Sequence, residues 1–218
     1  MLSVIIPVYN EENSVLEIIE QVKSVPIQKE IVVVDDGSSD KTVTLLRDVT
    51  GIKLFIHNYN QGKGAAIRTA LPHASGDIIL IQDADLEYDP SDYPKLVAPF
   101  KDLKVIAVYG SRFKGKGRFL FLSRLANIFL TFITNALFGG KLTDMETCYK
   151  LIRKEAAVKL NLQAKRFEIE PEITAKLLRQ HYRIVEVPIK YHGRSRGKKI
   201  GWRDGLIACW TLLKVYVS

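Results

Sequence analysis

An apolar run that ends abruptly against a cluster of acids constrains this chain more than any other stretch. Ile78 to Ile81 is short, rich in β-branched side chains and flanked by Gly76 and Pro90. Such a run fits a strand covered on both faces of a parallel sheet. Four acids follow within seven positions: Asp83, Asp85, Glu87 and Asp89. In open α/β sheets ligands bind just beyond the carboxyl ends of strands, so this strand delivers carboxylates to a place where a ligand sits. In an extended chain the alternating Asp83, Asp85 and Glu87 point the same way. Carboxylates that close repel one another unless a cation neutralises them. Hard oxygen ligands suit Mg²⁺ or Mn²⁺, and an ion that keeps several waters needs only one or two carboxylates plus substrate phosphates. The competing reading is a polar turn whose acids cap a helix begun by Pro90-Ser91-Asp92.

The rest of the chain alternates strands with helices. Leu2 to Val8 reads as a first strand; it lacks the basic flank and the apolar length of a signal peptide. Val15, Ile18, Ile19 and Val22 recur at helical spacing. Glu30–Val34 and Lys53–His57 read as strands. Thr42–Val49 reads as a helix behind the turn Asp35-Asp36-Gly37-Ser38-Ser39-Asp40, which is rich in capping residues. Asn58 to Gly64 is a loop opening another helix, and Val105–Ser111 and Ile184–Ile189 read as further strands. The fold expected is α/β, a Rossmann-like, mostly parallel central sheet flanked by helices. With 218 residues, 47% hydrophobic content and no linker, repeat or low-complexity tract, the chain reads as one domain, 1–218. Cys148 and Cys209 lack metal-ligand spacing and read as core thiols in a reducing compartment.

The formal charge is +8, so an anionic partner is expected: nucleic acid, a phospholipid surface or a phosphorylated substrate. Distribution says more than the total. Leu103 to Thr143 contains no acid but holds Arg112, Lys114, Lys116, Arg118, Arg124 and Lys141; a second basic cluster comprises Lys190, Arg194, Arg196, Lys198, Lys199 and Arg203. The acidic cluster argues against nucleic acid, because it repels phosphates unless a metal intervenes.

Several motifs together carry a resemblance. Pro7-Val8-Tyr9-Asn10-Glu11, Val34-Asp35-Asp36-Gly37-Ser38-Ser39-Asp40 and Asp83-Ala84-Asp85 resemble the signature set of the family 2 glycosyltransferases, inverting enzymes of GT-A fold. More narrowly, Asn60-Gln61-Gly62-Lys63-Gly64, Gly110-Ser111-Arg112-Phe113, Asp144-Met145-Glu146-Thr147-Cys148-Tyr149-Lys150 and Gly197-Lys198-Lys199-Ile200 resemble the polyprenyl-phosphate (dolichyl-phosphate) mannose and glucose synthases. The resemblance covers nearly the whole chain, in family order.

The resemblance implies a nucleotide-binding part at about 1–112 and an acceptor- and membrane-facing part at about 113–218. By it, Pro7, Tyr9, Glu11 and Val34 line the nucleotide pocket, Asp36 faces the base and Lys63 lies near the diphosphate. Asp83 and Ala84 contact ribose or sugar, and Asp85 and Glu87 hold Mg²⁺ or Mn²⁺. Relatives commonly carry Gln at the position of Glu87, so this site is more acidic than theirs. Catalytic roles fall to Asp83, Asp85, Arg112 and Asp144. The acceptor phosphate is expected between Arg112, Arg124, Arg194 and Lys199, with Gly193, Gly197 and Gly201 giving the last two a mobile loop. A phosphate acceptor is largely ionised at neutral pH, whereas a hydroxyl acceptor needs a positioned carboxylate such as Asp144 or Glu146. Asp35 and Asp36 as helix caps, Lys63 as a solvated lysine and Tyr9 as packing are the plainer alternatives.

Phe119 to Phe138 bears on where the acceptor lies. Twenty mostly apolar residues are long enough to span hydrocarbon, but Ser123, Arg124, Asn127 and Asn135 interrupt them and a mid-segment arginine is costly in a single span. A span would also separate the C-terminal basic cluster from Asp85, which the resemblance needs at one site. Amphipathic helices lying in the membrane interface are expected, flanked by the bases of 112–118, with a buried helix pair as the alternative. Gly205 to Val217 is too short to span and packs or touches the same surface. The expected partners are a nucleotide diphosphate sugar, a polyprenyl phosphate and an anionic membrane surface, with room for a membrane-protein partner and none for nucleic acid. The expected location is peripheral, at the cytoplasmic face of a membrane.

Overall fold

The computed structural model describes residues 1–118, 121–193 and 202–218, with the side chains of 116–118, 121, 122 and 202 left aside. Leu2–Val8 forms β1, and Val4, Ile5 and Ile6 are wholly buried, as a strand covered on both faces requires. Burying each such side chain contributes about 1.5–3 kcal/mol. Val15–Ser24 forms α1, which buries Val15, Ile18, Ile19 and Val22. Lys29–Asp35 is β2, Thr42–Arg47 is α2, Lys53–Ile56 is β3 and Lys63–Ala70 is α3. Ile78–Ile81 is β4, and Asp89 caps the short 3₁₀ turn Pro90–Asp92 by accepting the Ser91 N–H at 2.9 Å. The capping reading of the acidic stretch thus holds for Asp89. Tyr93–Val97 is α4, and Ala107–Arg118 is a long β5.

Phe121–Phe138 follows as a single helix, α5. Lys150–Arg153 is β6, Lys154–Lys159 is α6, Ile169–Arg179 is α7, Ile184–His192 is β7 and Trp202–Val217 is α8. Among the described residues the strands make one seven-stranded sheet in the order β3-β2-β1-β4-β6-β5-β7. All neighbouring pairs are parallel except those made by β6, which runs antiparallel to both β4 and β5. The chain moves outward from β1 through β2 to β3, then returns to the other side of β1 for β4. That reversal opens a crevice beyond the carboxyl ends of β1 and β4, where the loops after them diverge.

The strand β6 is absent from the expectations above, and its short Lys-Leu-Ile-Arg sequence explains why. It is held as a strand by what precedes it: the Thr147 hydroxyl donates to the Gly110 carbonyl at 2.6 Å, and the Cys148 N–H donates to the Tyr88 hydroxyl at 2.9 Å. These bonds fold the 144–149 segment across the ends of β4 and β5.

The helix α5 inverts the usual pattern. Its protein-facing side is polar, with Asn127, Thr131 and Thr134 buried beside Leu130, while Phe129 and Phe132 are 58% and 67% exposed. Thr131 Oγ1 accepts the Met145 N–H, and the Asn135 side chain both donates to and accepts from the Leu142 backbone. On α8 the outward side carries Leu206, Ile207, Trp210 and Leu213, while Ala208, Leu212 and Val215 join Leu130, Met145 and Ala175 in a second apolar cluster that binds α5, α7 and α8 together. Among the described residues this stretch is one helix, not the several expected there, and the alternative of a buried helix pair within it fails because α5 leaves Leu125, Ile128, Phe129 and Phe132 in the open. Among the described residues no helix is long and apolar enough to cross a membrane. Residues 119 and 120 lie outside the described set.

Candidate active site

Gln82, wholly buried at the end of β4, sets the geometry of the acidic loop. Its side-chain oxygen accepts from the hydroxyls of Tyr93 and Tyr149 at 2.6 and 2.7 Å, and its amide donates to the Asp83 carbonyl at 2.8 Å. Beyond it the chain turns instead of staying extended, and Leu86 adopts a left-handed φ of 60°. The alternation of Asp83, Asp85 and Glu87 along one extended face is therefore lost, because β4 stops at Ile81. Each acid meets a different partner. Asp83 Oδ1 lies 2.7 Å from Lys63 Nζ, Asp85 Oδ1 accepts the Glu87 N–H at 3.2 Å, and Glu87 Oε2 accepts from the Tyr191 hydroxyl at 2.7 Å. Burial raises the Asp83 carboxyl, but the Lys63 ammonium outweighs it and holds the group below the usual carboxylate range.

Lys63 belongs to a buried chain of charge that ties distant elements together. Its ammonium also lies 2.9 Å from Glu170 Oε1 on α7, and Glu170 Oε2 lies 2.5 Å from Lys150 Nζ on β6. Lys150 is wholly buried; its three donors go to Glu170 and to the carbonyls of Met145 and Thr147 at 2.8 and 2.6 Å, with the Tyr109 ring 5.0 Å away. A buried ammonium tolerates such a place only when every donor is used. The solvated-lysine reading of Lys63 fails, since its side chain is largely covered. The backbone leading into it is equally fixed: Gly62 has φ 101°, and a Cβ there would lie 2.4 Å from the Lys165 carbonyl oxygen.

Arg112, at the bend of β5, is buried and grips Asp144 with three bonds. Its N–H and Nε donate to Oδ2 at 2.9 and 2.8 Å, and a terminal nitrogen donates to Oδ1 at 2.7 Å. The guanidinium also sits 5.2 Å from the Tyr191 ring. Glu186 on β7 fixes the turn beneath by accepting the N–H groups of Thr143 and Asp144 at 2.8 and 3.0 Å. Asp144 is thus committed to Arg112, and its neighbour Glu146 differs: Oε1 is buried without a hydrogen-bond partner. Burial pushes the Glu146 carboxyl up to about 7, against the pull of Lys150 and Arg112 and with the help of Glu170 and Asp144.

On the β1–β2 side, Asp36 is 2% exposed, and its carboxylate accepts the N–H groups of Gln61 and Gly62 at 2.9 and 2.7 Å while His57 Nδ1 lies 2.7 Å away. It organises the 57–62 loop and does not cap α2, whose N-terminal position is Lys41. Asp35 accepts both the N–H and the hydroxyl of Ser38 at 2.9 and 2.6 Å. Val34 is wholly buried inside β2, so its side chain has no surface to offer a ligand. Pro7 near the end of β1, and Tyr9 and Glu11 just beyond it, are partly exposed, and the Glu11 N–H donates to Thr42 Oγ1 at 2.9 Å.

With this geometry in place, comparison with known proteins is decisive for the family. Residues 3–160 match the model of glycosyl transferase family 2. The chain belongs to that family. A UDP-N-acetylglucosamine–dolichyl-phosphate N-acetylglucosaminyltransferase of Methanococcus voltae is 30% identical over 217 residues, covering 87% of this chain and 85% of that protein. A dolichol-phosphate mannosyltransferase of Pyrococcus furiosus is 29% identical over 213 residues, covering 90% of this chain but only 58% of its own length. A glucosyl-3-phosphoglycerate synthase of Mycobacterium tuberculosis, solved with Mn²⁺, UDP and glucosyl-3-phosphoglycerate, superposes with a TM-score of 0.77 at 21% identity, over 100% of this chain and 80% of that one. The fold is of the GT-A type, and the protein is a glycosyltransferase.

In this family 2 glycosyltransferase the structure gathers Lys63, Asp83, Asp85, Glu87, Arg112 and Asp144 around the crevice with Ala84 buried among them. Arg124 stands on the exposed side of α5, its guanidinium 5.9 Å from the Phe113 ring, while Arg194 and Lys199 lie outside the described residues. Gln82, Glu170, Glu186 and Tyr191 are contributors that the sequence does not reveal, and Lys150 stands in the 144–150 motif without a role assigned to it there. Among the described residues no three metal-binding side chains converge into a ready-made cage. Asp85 and Glu87, two hard oxygen donors on one turn, fit an ion that draws its other ligands from water and a diphosphate.

Proposed function

We propose that this glycosyltransferase moves a hexose from a nucleotide diphosphate sugar, GDP-mannose or UDP-glucose, to a polyprenyl phosphate with inversion, as a peripheral enzyme at the cytoplasmic face of a membrane. One observation carries the reading: α5 turns its apolar side outward while its polar side clamps the backbone of Leu142 and Met145, beside Asp144. A lipid whose tail lies in the membrane can therefore present its phosphate to the crevice. The dolichyl-phosphate relatives act on acceptors of that kind by their names. The same outward face suits a membrane-protein partner, and the basic residues beside it suit anionic lipid. The ion chain from Asp83 through Lys63 and Glu170 to Lys150 favours reading 1–218 as a single domain, with the nucleotide part at about 1–112 and the acceptor part at about 113–218.

Asp85 and Glu87 are assigned to hold Mg²⁺ or Mn²⁺, in line with the Mn²⁺ and UDP of the mycobacterial structure. Such an ion offsets the charge that builds on the departing diphosphate. Lys63, oriented by Asp83 and Glu170, sets a fixed positive charge near the donor, and Asp144 holds the Arg112 guanidinium in place for an anionic acceptor. A hydroxyl acceptor is the second reading, favoured by the unengaged oxygen of Glu146, since a hydroxyl needs a base. The test is a panel of nucleotide sugars offered with a short polyprenyl phosphate or with hydroxyl acceptors, with and without Mg²⁺ or Mn²⁺. Metal-dependent transfer to the lipid phosphate is expected, lowered about 100-fold or more by Asp85→Asn without loss of the fold. Transfer that survives both chelation and Asp85→Asn overturns the metal assignment, and transfer to hydroxyls alone overturns the acceptor.

A further inference from the structure

Among the described residues, every acid named at the crevice except one has a fixed companion. Asp83 holds Lys63, Glu170 holds Lys63 and Lys150, Asp144 holds Arg112, Asp85 accepts a backbone N–H and Glu87 accepts a tyrosine hydroxyl. Glu146 is the exception, with Oε1 buried and unpartnered while the residue as a whole keeps partial exposure. Leaving a carboxylate oxygen so placed is costly unless a proton or a ligand satisfies it. The charged and titratable groups around it come from every neighbouring element: Lys150 on β6, Glu170 on α7, Arg112 on β5, Asp144 on its own segment and Cys209 on α8. Two cations face two carboxylates and a thiol raised by burial, so nothing there fixes Glu146 in its ionised form.

We propose that Glu146 and the acceptor phosphate hold one proton between them, making Glu146 a catalytic residue for a phosphate acceptor. The proposal rests on the polyprenyl-phosphate reading given above. A phosphate monoester loses its second proton near pH 6. Burial pushes the Glu146 carboxyl up to about 7, close to that value, so transfer from the one to the other is nearly balanced. When a monoanionic phosphate enters, its P–O–H bond breaks and the proton passes to the Glu146 carboxylate, whose partly exposed side faces the entering group while Oε1 stays buried. The freed phosphate oxygen forms the bond to the anomeric carbon, and the bond from that carbon to the diphosphate breaks, its electron pair leaving with the nucleoside diphosphate. The neutral carboxyl keeps its O–H as a hydrogen-bond donor to the phosphate and returns the proton to water afterwards. An ionised Glu146 beside a dianionic phosphate is the unfavourable state, because like charges repel across a buried contact.

Catalysis then needs one proton on the pair, which fixes the shape of a pH profile. In the unaltered enzyme, kcat/KM for a short polyprenyl phosphate rises through about pH 6 and falls again above about pH 7. In Glu146→Gln, which is neutral at every pH and still donates a hydrogen bond, the alkaline fall disappears and the profile reaches a plateau. A purely structural role for Glu146 lowers the height of the profile and leaves its shape unchanged; that result overturns the proposal, as does an unaltered alkaline limb. Nucleotide-sugar binding is the control and stays within about twofold. If the glutamine variant does not fold, Glu146→Asp serves instead: it stays titratable, its alkaline limb moves to a new pH, and a limb that stays in place overturns the proposal. No transfer to polyprenyl phosphate by the unaltered enzyme at any pH overturns the acceptor reading and this proposal together, whereas normal transfer with an unshifted limb overturns this proposal alone.

Discussion

At the scale of single residues, the charges of the crevice are, Glu146 aside, each held by a named partner. Lys150 is the extreme case, an ammonium with no exposure whose charge is balanced by Glu170. Removing one member of such a pair leaves the other buried and uncompensated, at a cost of about 3–5 kcal/mol. Glu170→Gln is therefore expected to lose roughly that much stability in chemical denaturation, whereas Glu170→Gln with Lys150→Met should recover much of it. Equal losses in the single and double variants would mean that the pair is not coupled. Glu170 also positions Lys63, so the double variant is expected to fold better than it works, with donor binding impaired because Lys63 has lost one of its two anchors. Glu170 is not legible as a site residue in the sequence, and Lys150 is legible only as the end of the 144–150 motif, without its partner. They lie 20 positions apart, and nothing in local pattern says that one strand and one helix will bring an ammonium and a carboxylate together in the interior.

At the scale of elements, what local pattern can say is set by what lies next to each segment. The strands β1, β2 and β4 are legible because two covered faces demand an unbroken apolar run, whatever the neighbours are. β6 is not, being four residues long and kept in place by side-chain bonds from Thr147 and Tyr88. For α5 the composition is legible but its orientation is not, because the polar side finds partners in the 142–145 turn and leaves the apolar side outward. That orientation makes a prediction for the pair α5 and α8. Phe132→Asp and Trp210→Asp replace exposed side chains, so the fold should hold and association with anionic vesicles should fall sharply in sedimentation. Raising the salt should weaken what binding remains, since each basic residue near an anionic surface contributes about 1 kcal/mol that screening removes. Vesicle binding unchanged by both aspartates would show that this face does not meet the bilayer.

At the scale of the whole molecule, the formal charge of +8 conceals a crevice of the opposite sign. Among the described residues, Asp83, Asp85, Glu87, Asp144, Glu146 and Glu170 face Lys63, Lys150 and Arg112 there. Those cations are already engaged with carboxylates, so a bare nucleoside diphosphate meets repulsion that the protein's overall charge cannot offset at close range. The short acidic stretch after β4 announces this in the sequence, but the Lys63 ammonium that pairs with Asp83 comes from α3, and the Tyr191 hydroxyl that donates to Glu87 comes from β7, 104 positions along the chain. Donor and divalent cation should therefore bind with strong mutual dependence. A ligand that binds only the folded state stabilises it by RT ln(1 + [L]/Kd), about 2.7 kcal/mol at one hundred times Kd. For a chain of this size that corresponds to a rise of roughly 5–11 °C in Tm. UDP or GDP alone, and Mn²⁺ alone, should each move Tm by a small fraction of that rise, while the two together give it in full. Asp85→Asn should abolish the synergy and leave the unliganded Tm close to that of the unaltered protein, because the residue is partly exposed on a turn and contributes little packing. A full shift with nucleotide alone in the presence of a chelator would mean that the repulsion is answered by protein cations after all, and that Asp85 has another task.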